Sequence, residues 1–235
     1  MWSWDFAFSI LPQLLEAMVV TIEATIVGFL VAAVLGLFWT ICRRSSIKPL
    51  KFVVVAIVEF IRSTPLLVQL YFIFFVFPTF GITLSPFLAG VLGLGLHYST
   101  YLTEVFRTGI DSIPKGQWEA STALNLSKVK VWTHVIMPQA IPPVIPMLGN
   151  YFIVMFKETP LLSAISIVEM VQAAQIIGSN SFRYVEAFTD VGVIFLLLSY
   201  PASLLFQYME KRIQHRFDLP VKSSKLEEDN YAASK

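Results

Sequence analysis

Charge is scarce in this sequence. Of 235 residues only 14% are Asp, Glu, Lys or Arg, whereas 56% are hydrophobic and the mean hydropathy is +0.69. Soluble domains carry roughly 25% charged residues. A soluble chain this apolar could not cover its surface with polar groups, so lipid is the expected solvent. Neither sign of charge dominates: 17 Lys and Arg stand against 16 Asp and Glu, for a net charge of +1. The basic footprint of a nucleic-acid binder is therefore missing, and no nucleic-acid partner is expected. Cysteine is reduced to Cys42. That excludes an internal disulfide framework and a thiolate metal cluster, and leaves the lone thiol as a small space-filler. His97, His134 and His215 share no metal-ligand spacing, so no metal is expected. No GxxxxGK[ST] run occurs, so the chain has no phosphate loop for ATP. A nucleophile–base pair and a cofactor fingerprint are missing too, and no enzymatic chemistry is expected of this chain. The first ten residues lack the basic start of a cleaved signal and carry Trp2, Trp4 and Asp5 instead. The tryptophans read as interface anchors.

What the chain has is long apolar runs. A spanning helix needs roughly 20 mainly apolar residues. Five runs fit: residues 14–41, 52–77, 87–106, 141–156 and 191–208. Residues 1–13 read as an extracytoplasmic segment, 14–213 as one membrane domain, and 214–235 as a cytoplasmic tail expected to be disordered. Connecting charges set the orientation. The first connection holds Arg43, Arg44, Lys48 and Lys51, the second no charge, and the third Arg107, Lys115, Lys128 and Lys130. Basic and non-basic connections alternate. The N-terminus is thus expected outside and the C-terminus in the cytoplasm, as an odd number of spans requires.

The third connection, residues 109–139, is too long for a plain connector. Pro114 can open a helix running through Trp118, Glu119, Ala120 and Ala123. Asn125 then stands at a C-cap position, since Asn tolerates the left-handed conformation. Ser127 can cap a second short helix through Trp132, and Pro138 is expected to stop it before the next span. Two short helices at an angle suit a docking knob better than a segment lying flat on the membrane.

This loop resembles the EAA loop of permease subunits of bacterial ABC importers: E-A-A, three residues, G, nine residues, I-x-L-P. Here the pattern gives Glu119, Ala120, Ser121, then Asn125, then Val135, Met137 and Pro138 at matching spacing. Ser, Asn, Val and Met replace Ala, Gly, Ile and Leu, and Asn keeps the sharp turn feasible. The resemblance implies an all-α integral membrane fold with five transmembrane helices and a cytoplasmic coupling-helix loop, the type I importer permease fold. It implies that Trp118, Glu119, Ala120, Ser121, Asn125 and Pro138 dock on a separate ATPase. ATP and Mg are bound by that partner, and this chain carries no cofactor. The further partners implied are a second permease subunit, identical or related, and an extracytoplasmic solute-binding protein.

Residues 62–67, RSTPLL, echo residues 157–162, KETPLL. Proline removes a backbone donor and frees the carbonyl four residues back, here those of Ile61 and Phe156. At membrane depth such groups must be buried in protein or line a wet path, and charge there marks a functional site by default. Arg62, Thr64, Glu158 and Thr159 are therefore placed on the translocation path. The alternative is that Arg62 pairs with Glu59 or Glu158 to fix helix packing. His97 and Tyr98 open a polar patch through Tyr101 that either bonds between helices or lines the path. Glu104 and Arg107 are expected to pair locally.

RSTPLLVQLYF and FKETPLLSAI resemble the polar-amino-acid branch of these permeases, which takes up histidine, glutamine, arginine and opines. HYSTYLTEVFRTGI, GQWEASTALNLS and FKETPLLSAI are most similar to permeases for ectoine and hydroxyectoine. The resemblance implies ATP-driven import of a small zwitterion through a bacterial inner membrane. Arg62 could meet a carboxylate and Glu158 a cation, which suits ectoine and an amino acid alike. Two other classes make different predictions. An ion-gradient-driven secondary transporter works alone, and a receptor or scaffold binds without flux.

Overall fold

The computed structural model describes residues 2–217, and these contain helices and turns but no strand. Helix α1, Trp4–Arg43, opens at Ser3, whose hydroxyl accepts the Phe6 N–H. It begins ten residues before the expected span. Ile10, Leu14 and Ala17 are already buried against the later helices, and that packing holds residues 4–13 helical. Helix α2, Lys48–Arg62, breaks at Pro65 into α3, Leu66–Tyr71, followed by a wide turn at Phe72–Val76 and a tight one at Phe77–Phe80. The axis turns by 102° at the break, so the second expected span is bent. Helix α4, Pro86–Asp111, is capped by Ser85, whose hydroxyl accepts the Leu88 N–H. The loop holds α5, Lys115–Ala123, and a turn α6, Lys128–Lys130. A wide turn at Val131–Ile136 then feeds α7, Met137–Glu158. After a tight 3₁₀ segment, Thr159–Ile165, come α8, Met170–Ser181, and α9, Tyr184–Phe217.

One sequence expectation needs correction here. Pro138 does not stop a helix. The Met137 N–H bonds back to Trp132 O across the wide turn, and Pro138 takes the second position of α7, where no N–H is required. The fourth connection contains α8, which has its own cap. The buried carboxylate of Glu169 accepts the N–H groups of Val171 (3.0 Å) and Gln172 (2.7 Å). Burial pushes this carboxyl up, against the opposite pull of the two amides. Of the tail expected to be disordered, residues 214–217 continue helix α9, and the rest lies outside the described residues.

The centre of the bundle is the contact of α1 with α4. Gly28 faces Leu94, Gly36 faces Leu102 and Arg44 bonds Asp111, so the two helices run parallel. Ala24, Gly28, Ala32, Gly36 and Thr40 are buried and recur every fourth residue. A Cβ on Gly36 would sit 3.0 Å from the Leu102 Cβ and from Ser99 O, so only a small residue permits this approach. Close approach brings the backbones within hydrogen-bond range. Thr40 Oγ1 donates to Thr103 O (3.2 Å) and Thr103 Oγ1 donates to Gly36 O (3.3 Å).

Helix α7 runs antiparallel to α4, with Gly109 against Val144 and Tyr98 against Glu158, and α9 antiparallel to α7, with Gly149 against Phe206. Helix α4 thus shares the direction of α1, α7 reverses it and α9 restores it. Helix α1, residues Lys128–Ile165 and Tyr184–Ile213 are long and apolar enough to cross a membrane. The bent pair Lys48–Arg62 and Leu66–Phe80 makes a fourth if taken as one span. Helix α4 falls short on composition. It lies at the core, and its buried face carries His97, Ser99, Thr100 and Thr103 beside four glycines.

Candidate functional site

Two assemblies carry the residues that the sequence pointed to. The first is the loop between α4 and α7. Helix α5 ends in a closed cap. Leu126 N–H bonds Ser121 O (3.1 Å), Asn125 N–H bonds Thr122 O (2.9 Å), and Asn125 takes the left-handed conformation at φ 52°. This is the paired 6→1 and 5→2 pattern that satisfies the last carbonyls of a helix. Ser127 then caps the next turn, its hydroxyl accepting the Lys130 N–H (3.4 Å). The stem is apolar. Ile113, Ile136 and Ala140 are buried, and Trp118 packs edge-on to Trp132 with ring centroids 5.4 Å apart.

The named loop residues divide between stem and surface. Trp118 is half-buried in the stem, and Ser121 is buried with its hydroxyl donating to Gln117 O. Glu119, Ala120, Asn125 and Pro138 are exposed. Leu124 and Val129 stand out beside them at 73% and 71% exposure. The sequence reading did not single these two out, although apolar residues at the tip of a polar loop were the available signal.

The second assembly lies where the α2–α3 break meets α4 and α7. Arg62 bonds both carboxylate oxygens of Glu59 (2.7 and 2.8 Å), one turn earlier on its own helix. The carbonyl of Ile61, freed by Pro65, accepts from Thr64 Oγ1 (2.9 Å) and from Gln69 Nε2 (2.7 Å). Gln69 Nε2 also lies 3.1 Å from His97 Nδ1 on α4. Tyr98 donates its hydroxyl proton to Glu158 Oε2 (2.7 Å). The carbonyl of Phe156, freed by Pro160, accepts from Thr159 Oγ1 (2.8 Å) in a fully buried setting.

Rings gather beside Glu158 and the α2–α3 break. Tyr101 sits 5.3 Å from His97, 6.0 Å from Tyr98 and 5.7 Å from Tyr151. A cavity of about 560 Å³ opens beside Tyr151, lined also by Glu104, Thr108 and Asn150. Thus His97 and Tyr98 belong to one ring cluster that Glu158 joins through the Tyr98 hydroxyl, Arg62 is held by Glu59, and Thr64 and Thr159 are spent on freed carbonyls. Sequence reasoning missed Gln69 and Tyr151. Gln69 stands five residues past Thr64, within reach of the broken turn, but nothing in the sequence pairs Tyr151 with Tyr101. The polar patch on α4 bonds between helices: Ser99 accepts from Trp39 Nε1 (3.1 Å), His97 meets Gln69 and Tyr98 meets Glu158. Glu104 pairs with Arg107 (2.7 Å), as the spacing predicts, and also with Arg43 (2.5 Å). Among the described residues no group of three His, Cys, Asp or Glu side chains could hold a metal.

Known proteins share this architecture. Residues 32–215 match the family described as binding-protein-dependent transport system inner membrane component. A probable amino-acid ABC transporter permease, y4tG of Sinorhizobium fredii, is 44% identical over 90% of this chain and 91% of its own length. The L-cystine permease TcyB of Bacillus subtilis is 36% identical over 89% and 91%. The crystal structure of an amino acid ABC transporter with histidines superposes with a TM-score of 0.84 at 34% identity, covering 90% of this chain and 99% of that one. An inward-facing structure of the MetNI methionine transporter shares the fold at a TM-score of 0.67 and 19% identity, over 90% and 99%. The chain has the type I ABC permease fold and belongs to the binding-protein-dependent inner membrane component family, as a non-enzymatic permease subunit of an ABC amino-acid importer whose ATPase is a separate protein.

Proposed function

We propose that this permease moves a small zwitterion inward, either ectoine and hydroxyectoine or a related polar amino acid, past the ring cluster beside Glu158 and the α2–α3 break. The observation that carries the reading is this cluster of His97, Tyr98, Tyr101 and Tyr151, bonded through Tyr98 to the Glu158 carboxylate and joined through His97 and Gln69 to the helix break that follows Arg62. A delocalised or ammonium cation is attracted by ring faces and by Glu158. A carboxylate suits the guanidinium fork of Arg62, for which it would compete with Glu59.

Coupling goes through the exposed loop. Glu119, Ala120 and Asn125, with Leu124 and Val129, form the face offered to an ATPase groove. The Trp118–Trp132 stem transmits the ATPase motion to α4 and α7. A stem with closed caps and a packed core can act as a lever, whereas a floppy connector would absorb the motion. The working assembly is two permease subunits, identical or related, with an ATPase dimer and an extracytoplasmic binding protein. The loop faces the cytoplasm and Ser3 the outside. In support, the basic groups Arg43, Arg44, Lys115, Lys128 and Lys130 gather at the loop end of the bundle.

The test is uptake of labelled ectoine by proteoliposomes holding the full assembly, with glutamine, cystine and hydroxyectoine as competitors. Ectoine uptake blocked by hydroxyectoine but not by cystine supports the narrower substrate. Cystine or glutamine uptake without ectoine uptake assigns an amino acid instead. No uptake of any zwitterion contradicts the reading.

A further inference from the structure

A cavity of about 460 Å³ lies at the loop end of the bundle, away from the ring cluster. It is walled by Thr40, Arg43 and Arg44 at the end of α1, Lys51 at the start of α2, and Arg107 and Asp111 at the end of α4. Three ion pairs knit the guanidinium groups together: Arg43 with Glu104 (2.5 Å), Arg44 with Asp111 (2.5 Å), and Arg107 with Glu104 (2.7 Å). A fourth joins Arg107 to Asp111 (3.1 Å). Four cations against two carboxylates leave a surplus of two positive charges. The Lys51 ammonium has no partner among the described residues.

Positive charge concentrated between helices at the edge of a bilayer attracts an anion. The surroundings say which kind. Phe38, Ile41, Ile47 and Phe52 lie within about one turn of the lining residues in sequence, and all four are exposed. An inorganic anion would leave these surfaces uncovered. A lipid would place its phosphate on the cations and its chains along the apolar side chains.

We propose that this cavity binds the headgroup of an anionic phospholipid, with Lys51, Arg44 and Arg107 on the phosphate and Phe38, Ile41 and Phe52 along the acyl chains. Asp111 ends α4, and Ile113, two residues on, packs into the loop stem. A bound lipid therefore braces the root of the loop.

The test uses the full chain in its assembly with the ATPase, exchanged into mixed micelles of phosphatidylcholine and phosphatidylglycerol. Retained lipid is measured by native mass spectrometry. Wild type is expected to retain phosphatidylglycerol over phosphatidylcholine. Lys51→Glu should lower that retention about five- to tenfold, and Lys51→Arg should restore it. Lys48→Glu lies one turn earlier on α2, outside the cavity, and should leave retention unchanged. Soluble glycerol phosphate should not displace the lipid. Equal retention of the two lipids overturns the proposal, as does equal loss in the Lys48 and Lys51 variants, which would mean a diffuse surface charge. Displacement by glycerol phosphate overturns the lipid assignment in favour of a soluble phosphate.

Discussion

Residues 64–67 and 159–162 spell the same four letters, TPLL, and fold differently. At the first, the chain swings by 102° and starts a new helix. At the second, it tightens into a 3₁₀ segment that runs to Ile165, and Ser166 turns it at φ 66°. Both prolines free a carbonyl, and both preceding threonines answer it with a hydroxyl, at 2.9 Å to Ile61 O and 2.8 Å to Phe156 O. The difference lies five residues past the threonine. There the first segment has Gln69, whose amide supplies a second donor to Ile61 O at 2.7 Å. The second has Ala164, which supplies none. A break with two side-chain donors can open widely. A break with one must stay compact and buried. The preceding charges differ in the same sense. Arg62 is held within its own helix by Glu59, whereas Glu158 reaches across to Tyr98 on α4.

This contrast can be broken in a graded way. The largest loss is expected for Thr64→Val combined with Gln69→Leu, which strips both side-chain donors from Ile61 O at membrane depth. The carbonyl then keeps only the Thr64 N–H at 3.2 Å, and loss of the two side-chain hydrogen bonds should cost about 2–3 kcal/mol, read as a lowered thermal midpoint in detergent. The double variant should exceed the sum of its two parts, because either donor alone can serve. Simple additivity would mean that the donors act independently. Thr159→Val comes next, at roughly 1–2 kcal/mol, since the buried Phe156 carbonyl has no glutamine in reserve. Tyr98→Phe removes the hydroxyl from Glu158 and should cost about 1 kcal/mol. It should also lower uptake more than it lowers stability, because the freed carboxylate faces the ring cluster. A variant that unfolds in proportion to its lost uptake would make the Tyr98 contact purely structural. Thr64→Val alone should be mildest, below about 1 kcal/mol, with Gln69 covering the loss. If it proved worse than Thr159→Val, the account of the two breaks would be reversed.

What could be read from sequence was local. Asn125 in the left-handed conformation, Ser127 as a cap and the two freed carbonyls each depend on residues within about five positions, and each stands in the structure where the spacing puts it. What could not be read depends on who faces whom. The small residues Ala24, Gly28, Ala32 and Gly36 were present every fourth position, yet their meaning needs α4 lying parallel to α1. The Gln69–His97 and Tyr101–Tyr151 contacts join helices that are distant in sequence. Helix α8 was hidden because its cap is a buried Glu169, a residue ordinarily assigned to the surface. Pro138 misled because the wide turn before it changes which N–H groups the helix needs.

The central claim is that the exposed loop takes mechanical work from a separate ATPase. The most direct measurement is labelled-solute uptake by proteoliposomes containing the permease, binding protein and ATPase, comparing wild type with Glu119→Ala and omitting the ATPase in a parallel sample. Glu119 is exposed at the loop surface, outside the Trp118–Trp132 stem, so the variant should fold and insert normally. Uptake should require the ATPase and should fall at least tenfold in the variant while ATP hydrolysis continues, a loss of about 1.4 kcal/mol of coupling. Uptake without the ATPase, or unchanged uptake by Glu119→Ala, would contradict the claim.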